Sequence, residues 1–592
     1  MSSISRSPLL HALLACLLLA LAGCGGGGGS SGGGGTAGSG TTGGGTPAAQ
    51  TPTPAPLPAN ETPPTEADAV RFLTQATFGP TQTALNTVVG SGYRNWLAAQ
   101  FQATGGGYSP NYSSAIHTAG LANFCGSFPF PSAYLRDNCW QEYYSAEPLS
   151  REFYRNAVFG SDQLRQRVAL ALGQVFVVSN AEVEGTYGLR EYQQTLHDNA
   201  FGNVREILRK VTLSPVMGTY LNMVNNERAD PNENFARELM QLFSIGLCKL
   251  NADGTLLGGN CQSTYDNNGV RDVAFALTGW TYPAGGVSPW GSNGWKNYTY
   301  LRGDMIPVPA QHDQTARTLP DGSTLAASRT PQQALDRVID ALFNHANAAP
   351  FLGRQLIQHL VTSNPSPAYV GRVSAAFASG TAHGFGNGQR GDMRAIIAAI
   401  LLDPEARGDD KNGDNNYGRL REPAQFIAGM LRATNASTDG AGFYWWWGGQ
   451  LGQIVFNANS VFNFYPPDFP LPGTTLVGPA FAIENANSTL ARVNLGTTML
   501  YWNGIAAGSM PGASGTQADL ANWQALADNA TTLVERVERL LVTGGLPGDV
   551  RSGIATAVAA HTATNNPANW RRERVATAFY LVLASPEYQV QR

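Results

Sequence analysis

The sequence predicts a mostly α-helical fold: a large multi-helix domain with short hairpins and long loops rich in glycine and aromatic residues. Three observations predict it. Apolar residues recur at helical spacing through most of the chain after residue 65. Strand-like alternation is thin, and two unperiodic segments combine glycine with tryptophan and tyrosine. The net charge of −4 is spread along all 592 residues. No basic stripe with interleaved aromatics occurs, so nucleic acid is not an expected partner.

The first 24 residues read as a targeting segment rather than fold. One basic residue, Arg6, precedes an apolar run from Leu9 to Ala22 that is too short to span a bilayer. The run ends in Leu21-Ala22-Gly23-Cys24, which resembles the lipobox of bacterial lipoproteins, where the cysteine is lipidated and becomes the new N-terminus. The alternative is a plain secretory signal. Gly25 in place of aspartate points to the outer membrane, and several acyl chains give stable anchoring where one is marginal. The expected membrane contact is this lipid anchor alone.

Residues 25–64 are Gly, Ser and Thr, then Thr, Pro and Ala, and cannot bury a core. They read as a disordered tether with an r.m.s. reach of roughly 35 Å. Residues 65–592 follow as a single large helical domain or two close subdomains. Basic residues are nearly all arginine: of 38, only Lys210, Lys249, Lys296 and Lys411 are lysines, a bias read mainly as genomic composition.

Cys16 leaves with the signal. Cys125 with Cys139, and Cys248 with Cys261, are locally spaced pairs in an exported chain and read as two disulfides, each worth about 3 kcal/mol by loop entropy. Four thiols gathering around a metal is the competing reading, without a CxxC to support it.

Helices are expected at 162–179, in "TPQQALDRVIDALFNH", "AAPFLGRQLIQHLVT" and "DMRAIIAAILLDPEAR", and in "TTLVERVERLLVTGG", which glycine closes. "LCKLNADGTLLGGNC" has an Asp-Gly turn and reads as a small clipped hairpin. In "DPNENFARELMQLFSIG", Asp230, Pro231 and Glu233 read as N-cap, first helical residue and capping-box acid, with Glu233 also i,i+4 from Arg237. Glu238 falls on the flank of that helix. It is either paired, with Arg271 a candidate partner, or an acid in a cleft with a raised pKa.

The segments "RFLTQATFGPT", "QLRQRVALALGQVFVVS", "DPNENFARELMQLFSIG", "ALTGW", "RGDMRAIIAAILLDPEAR", "REP" and "SVFNFYPPDFP" occur in that order. Over about residues 68–592 the chain resembles the large bacterial domain-of-unknown-function family numbered eighteen hundred. The resemblance implies an exported bacterial protein, often encoded beside a second secreted family, and carries over no catalytic residues. Two departures stand out. Arg317 follows His312-Asp313 where the family has lysine, and Arg419 opens "RLREP" where the family has "KLREP".

Outside the Gly/Ser tether no GxSxG is present, nor is an HExxH or a phosphate loop, and the eight histidines include no pair at ligand spacing. The GxGxxG at 386–391 follows a helical segment rather than a strand, so it reads as a sharp interhelical connection. Asp410, Asn412 and Asp414 have alternating calcium-ligand spacing, but Asn415 and Arg421 stand where an EF-hand needs glycine and glutamate. An irregular calcium loop and a solvated turn are the two readings, and calcium is the one cofactor considered. His312-Asp313 and His197-Asp198 are adjacent pairs with structural or chemical readings. Trp445, Trp446 and Trp447, with Tyr444 and the Trp280, Trp290 and Trp295 group, either stack on sugar rings or plug gaps. Two functions are expected from this: a lipid-anchored surface protein that binds an extracellular polysaccharide or a co-encoded secreted partner, or an envelope hydrolase using Glu238 with His312-Asp313.

Overall fold

Short polar residues open the helices. In the computed structural model Thr65 caps the Glu66–Ala76 helix and Thr330 the Pro331–Asn344 helix, each through a capping box. The Asp392 carboxylate accepts the Arg394 and Ala395 N–H groups at the head of Met393–Leu401. The structure describes residues 63–108, 133–284, 292–293, 295–297, 299–408, 411, 414, 416–509 and 513–592. The chain divides into two units, 1–52 and 53–592, and all described residues fall in the second. Cys24, most of the tether, Cys125, Trp290, Asp410 and Asn412 lie outside the described residues.

Helix dominates, and the strands are antiparallel pairs of two residues each. Ala348–Leu360, Pro367–Ser379 and Met393–Leu401 pack in succession. Ala486–Leu500, Ala530–Leu541, Gly548–Ala559 and Trp570–Ala584 form a second group towards the C-terminus. One apolar cluster running from Ala69 to Tyr588 unites them. The GxGxxG stretch does connect two helices: at Gly386, with φ of 98°, a β-carbon would sit 2.1 Å from the Gly380 carbonyl. The expected hairpin is reduced to the bridges Cys248–Ser263 and Leu250–Leu256, with Gly254 at φ 77° in its turn. Cys248 and Cys261 are bonded, their Cα atoms 4.9 Å apart, and Cys139 is also disulfide-bonded.

One expected cap is corrected. The helix in "DPNENFARELMQLFSIG" runs Asn234–Gln241, and Asp230-Pro231 lies outside it. Asn226, further back in the chain, captures the segment. Its side chain donates to the Asn232 carbonyl (3.1 Å) and accepts the Asn232 N–H (2.8 Å), so the chain cannot turn helical until Asn234. The Glu233–Arg237 pair survives at 3.1 Å, partly exposed.

The centre of the fold is polar. Glu422 is wholly buried, and Gln174, Gln453 (2.7 Å) and Tyr465 (2.9 Å) all donate to its Oε2, while Arg419 lies 3.5 Å from Oε1. Burial alone would raise the Glu422 pKa. Arg419 and Arg167, with the Gln453 hydrogen bond, more than offset it and hold the carboxyl at about 2. Arg419 also donates to the His359 carbonyl (2.6 Å) and to Gln425 (3.0 Å). Gln425 in turn donates to Gln591 (2.8 Å), which the Val590–Gln591 pairing with Arg419–Leu420 brings inward from the C-terminus.

Removing one member of a buried, fully compensated ion pair costs about 3–5 kcal/mol, because its partners stay charged and buried. Glu422→Gln is expected to lower unfolding free energy by that order in a denaturant titration at pH 7. A loss under 1 kcal/mol would mean the network is not what holds these segments.

Candidate functional site

The sequence singles out one helix flank, two His-Asp pairs, a polar turn and an aromatic loop. The structure treats them differently.

His312 is inaccessible. Its Nδ1 donates to the Thr278 carbonyl (2.9 Å), and burial lowers its pKa. The Asp313 carboxylate is consumed by Arg317, through Nε (2.9 Å) and Nη2 (3.0 Å), by the Thr315 hydroxyl (3.0 Å) and by Arg329 (3.5 Å). Burial would raise its pKa, but the Arg317 and Thr315 bonds lower it on balance. Asp313 is thus held as a structural clamp, while the His312 Nε2 is buried without a hydrogen-bond partner.

His197 and Asp198, though adjacent, do bond each other. The ring bridges buried Asp162 (2.8 Å) and exposed Asp198 (3.2 Å). Burial opposes protonation of His197, and the two carboxylates reverse that and raise its pKa. Asp198 joins Glu191, Thr195, Lys210, Ser214 and Asp304 around a polar cavity of about 480 Å³. An apolar cavity of about 310 Å³ lies elsewhere, lined by Leu420, Phe426, Phe481, Tyr580 and Leu583, with the Arg492 guanidinium at its wall. Of the expected calcium ligands only Asp414 is described, and its Oδ1 accepts the Asn416 N–H (2.8 Å).

The aromatic loop is split. Phe443, Tyr444 and Trp447 are buried and seat the segment, while Trp445 and Trp446 are 45% and 56% exposed. Trp447 is therefore an anchor and not part of a stacking face, and Trp280 is likewise buried. The face gains a member that sequence reasoning missed. Trp140, half exposed on another segment, lies 6.5 Å from Trp445 with the ring planes 24° apart. The signal was there in "CWQEYY", beside the disulfide-bonded Cys139, but a lone tryptophan marks no face.

Glu238 keeps its anomaly. It is 8% exposed, and its Oε2 has no hydrogen-bond partner. Arg271, the expected partner, lies instead over the Phe275 ring at 5.7 Å. Burial raises the Glu238 pKa, and Arg237 pulls it only partly back. The Tyr265 hydroxyl is also buried without a partner. The Glu238 carboxyl acts electrostatically on Tyr265 and on Tyr220, both of which burial has already pushed up to about 12.

The pattern of the family described as "Protein of unknown function (DUF1800)" matches residues 71–590. Among curated proteins and among solved structures, nothing matches the chain.

A carboxyl whose pKa is higher folded than unfolded favours folding below the unfolded pKa, and that contribution is lost as pH rises through the folded value. At pH 7 the charge on Glu238 therefore opposes folding. Glu238→Gln is expected to raise the denaturation midpoint at pH 7, with the gain shrinking towards pH 4. A destabilised variant at pH 7 would show instead that the carboxylate is paired.

Proposed function

This chain belongs to the DUF1800 family, and from that starting point we propose that it is an exported protein, lipid-anchored through Cys24 to the outer membrane, that binds an extracellular polysaccharide. One observation carries the reading: Trp140 and Trp445, from separate segments, present nearly parallel exposed rings, with exposed Trp446 next in the chain. Indole surface left in water is unfavourable, and Trp140, Trp445 and Trp446 each leave about half of theirs exposed. Flat aromatic faces suit the apolar faces of pyranose rings, and the buried Phe443, Tyr444 and Trp447 hold their backbone still.

Support for the anchor comes from the lipobox-like Leu21-Ala22-Gly23-Cys24 and the Gly/Pro tether after it. The tether would hold the binding face clear of the lipid surface. A co-encoded secreted protein is the other partner class, and the near-parallel ring geometry favours the sugar.

Trp445→Ala with Trp446→Ala is expected to weaken retention on purified envelope polysaccharide by about 1–2 kcal/mol, roughly 5- to 30-fold. Unchanged retention on every glycan that the unaltered protein binds would remove the tryptophans from the site. Cys24→Ser is expected to move the protein from the membrane fraction to the soluble periplasmic fraction. Unchanged membrane fractionation would defeat the anchor.

A further inference from the structure

Asp198 stands on the wall of a firmly built cavity. The Thr186–Asp198 helix presents Gly188, Glu191, Thr195 and Asp198 at helical spacing along one side. Lys210 near the end of the Val204–Leu213 helix, Ser214 just after it, and Asp304 on a loop form the other. That loop is fastened to both helices. Glu191 accepts the Arg302 Nε–H (2.9 Å) and the Gly303 N–H (2.6 Å), and the Met305 N–H donates to the Leu213 carbonyl (2.8 Å). A β-carbon at Gly188 would come within 2.4 Å of Leu301, so the glycine lets helix and loop touch. The space between is about 480 Å³, inside the usual range for ligand pockets of roughly 300–1,000 Å³.

The walls keep unspent hydrogen-bonding capacity of both kinds. Asp198 is held through Oδ1 alone, which accepts from Gln194 (2.6 Å) and from the His197 ring (3.2 Å). The other ring nitrogen lies 2.8 Å from Asp162, so each faces a carboxylate, both carry hydrogen, and an imidazolium fixes Asp198. Its Oδ2 has no partner among the described residues. Lys210 Nζ lies 3.5 Å from Asp304 Oδ2. Asp304 Oδ1, the remaining ammonium hydrogens and the Ser214 hydroxyl bond to nothing among the described residues. Asn199 donates to the Thr195 carbonyl (2.8 Å) and leaves its own amide oxygen open.

Charge and bonding capacity select the ligand. A metal ion needs convergent ligands, and no group of three His, Cys, Asp or Glu among the described residues converges for one. An acidic ligand meets three carboxylates against the Lys210 ammonium, since Arg302 and His197 are turned to Glu191 and Asp198. An apolar ligand would cover these groups without bonding them, which is costly. A sugar hydroxyl donates and accepts at once, so neighbouring hydroxyls can answer a carboxylate and the ammonium together. We propose that this cavity is a saccharide pocket for one uncharged sugar unit, whose hydroxyls donate to Asp198 Oδ2 and Asp304 Oδ1 and accept from Lys210. The inference rests on the polysaccharide reading above and adds the class of polymer, neutral rather than built of uronic acids. The Cys139–Tyr143 helix that carries Trp140 packs against the Thr186–Asp198 helix, so the tryptophan face and the pocket share a support. Indole rings stack on sugars with little regard to their hydroxyls, and the pocket supplies that discrimination.

The test is titration calorimetry on the mature lipoprotein in a detergent without a sugar headgroup. The probes are neutral tetrasaccharides of glucose, mannose and galactose, with tetragalacturonate as the acidic one. At least one neutral tetrasaccharide is expected to bind, and tetragalacturonate to bind at least about 10-fold more weakly. Asp198→Ala and Asp304→Ala are each expected to weaken that binding about 10- to 100-fold, and Lys210→Met about 5-fold. The melting midpoint is expected to hold, because all three side chains are solvent-accessible. Trp445→Ala with Trp446→Ala is expected to lower retention on the polymer and leave tetrasaccharide binding unchanged. If no neutral tetrasaccharide binds while the tryptophan variant still loses retention, the pocket is overturned and the binding reading stands. Tetragalacturonate binding as tightly as the neutral probes overturns the neutral class. Asp198→Ala binding like the unaltered protein overturns the assignment of the pocket. Absence of both tetrasaccharide binding and polymer retention overturns the binding reading together with this one.

Discussion

A carboxylate withdrawn wholly from water must be met by charges and donors that cannot leave, and Glu422 imposes that requirement on this fold. Its partners come from the Gln163–Val175 helix (Arg167, Gln174), the Arg419–Leu420 strand, the end of the Trp446–Leu451 helix region (Gln453) and the loop bearing Tyr465. Each segment must be seated before the charge is compensated. The requirement spreads outward from there: Arg419 fixes the end of the Ala348–Leu360 helix through the His359 carbonyl, and Gln425 ties in the C-terminal Gln591. A chain with one continuous apolar core could slide its helices past one another at modest cost. An ion cluster with directional bonds fixes one arrangement, which is the specificity that buried polar groups supply in other systems.

Arginine performs this work repeatedly, which adds a physical reason to a composition read first as genomic. Arg167 and Arg419 both donate to the His359 carbonyl, Arg71 to Gly408 (2.8 Å), and Arg432 to Gly79 and Val158 (2.8 Å each). These carbonyls lie at or beyond helix ends or in turns, where the backbone lacks its own donors. A guanidinium with five N–H groups can serve an acid and a carbonyl together, and an ammonium does so with less directional control. The two family departures fit the same account. Arg317 grips both oxygens of Asp313, lies 3.4 Å from Asp272 and covers the Phe275 ring at 3.7 Å. Arg419 serves Glu422, Gln425 and His359 at once.

What was legible in the sequence follows the range of the interactions. The Pro331–Asn344 helix could be read because Thr330, Pro331 and Gln333 are neighbours, and its apolar period is local. The false cap at Asp230 arose because its competitor, Asn226, acts from further back, and nothing in the Asp-Pro signal reports it. The Glu422 cluster was out of reach for the same reason on a larger scale, its members being spread from Arg167 to Gln591. "REP" showed a motif without showing a centre. For the tryptophans, three in succession fix no phase in a single short turn, so which two face water was decided by packing around Phe443 and Tyr444.

Glu238 and Glu422 make the useful comparison, since both are buried glutamates in motifs that looked alike on paper. Burial pushes both pKa values upward. At Glu422 two guanidiniums and three donors reverse the effect, and the acid becomes a fixed charge. At Glu238 only Arg237 opposes it, one oxygen is left open, and a neighbouring phenol is open as well. A structural acid is recognised by how completely it is answered. The incomplete environment around Glu238 makes its charged form costly. The two acids therefore differ in what surrounds them rather than in burial: Glu422 is answered on both oxygens, and Glu238 keeps one oxygen without a partner.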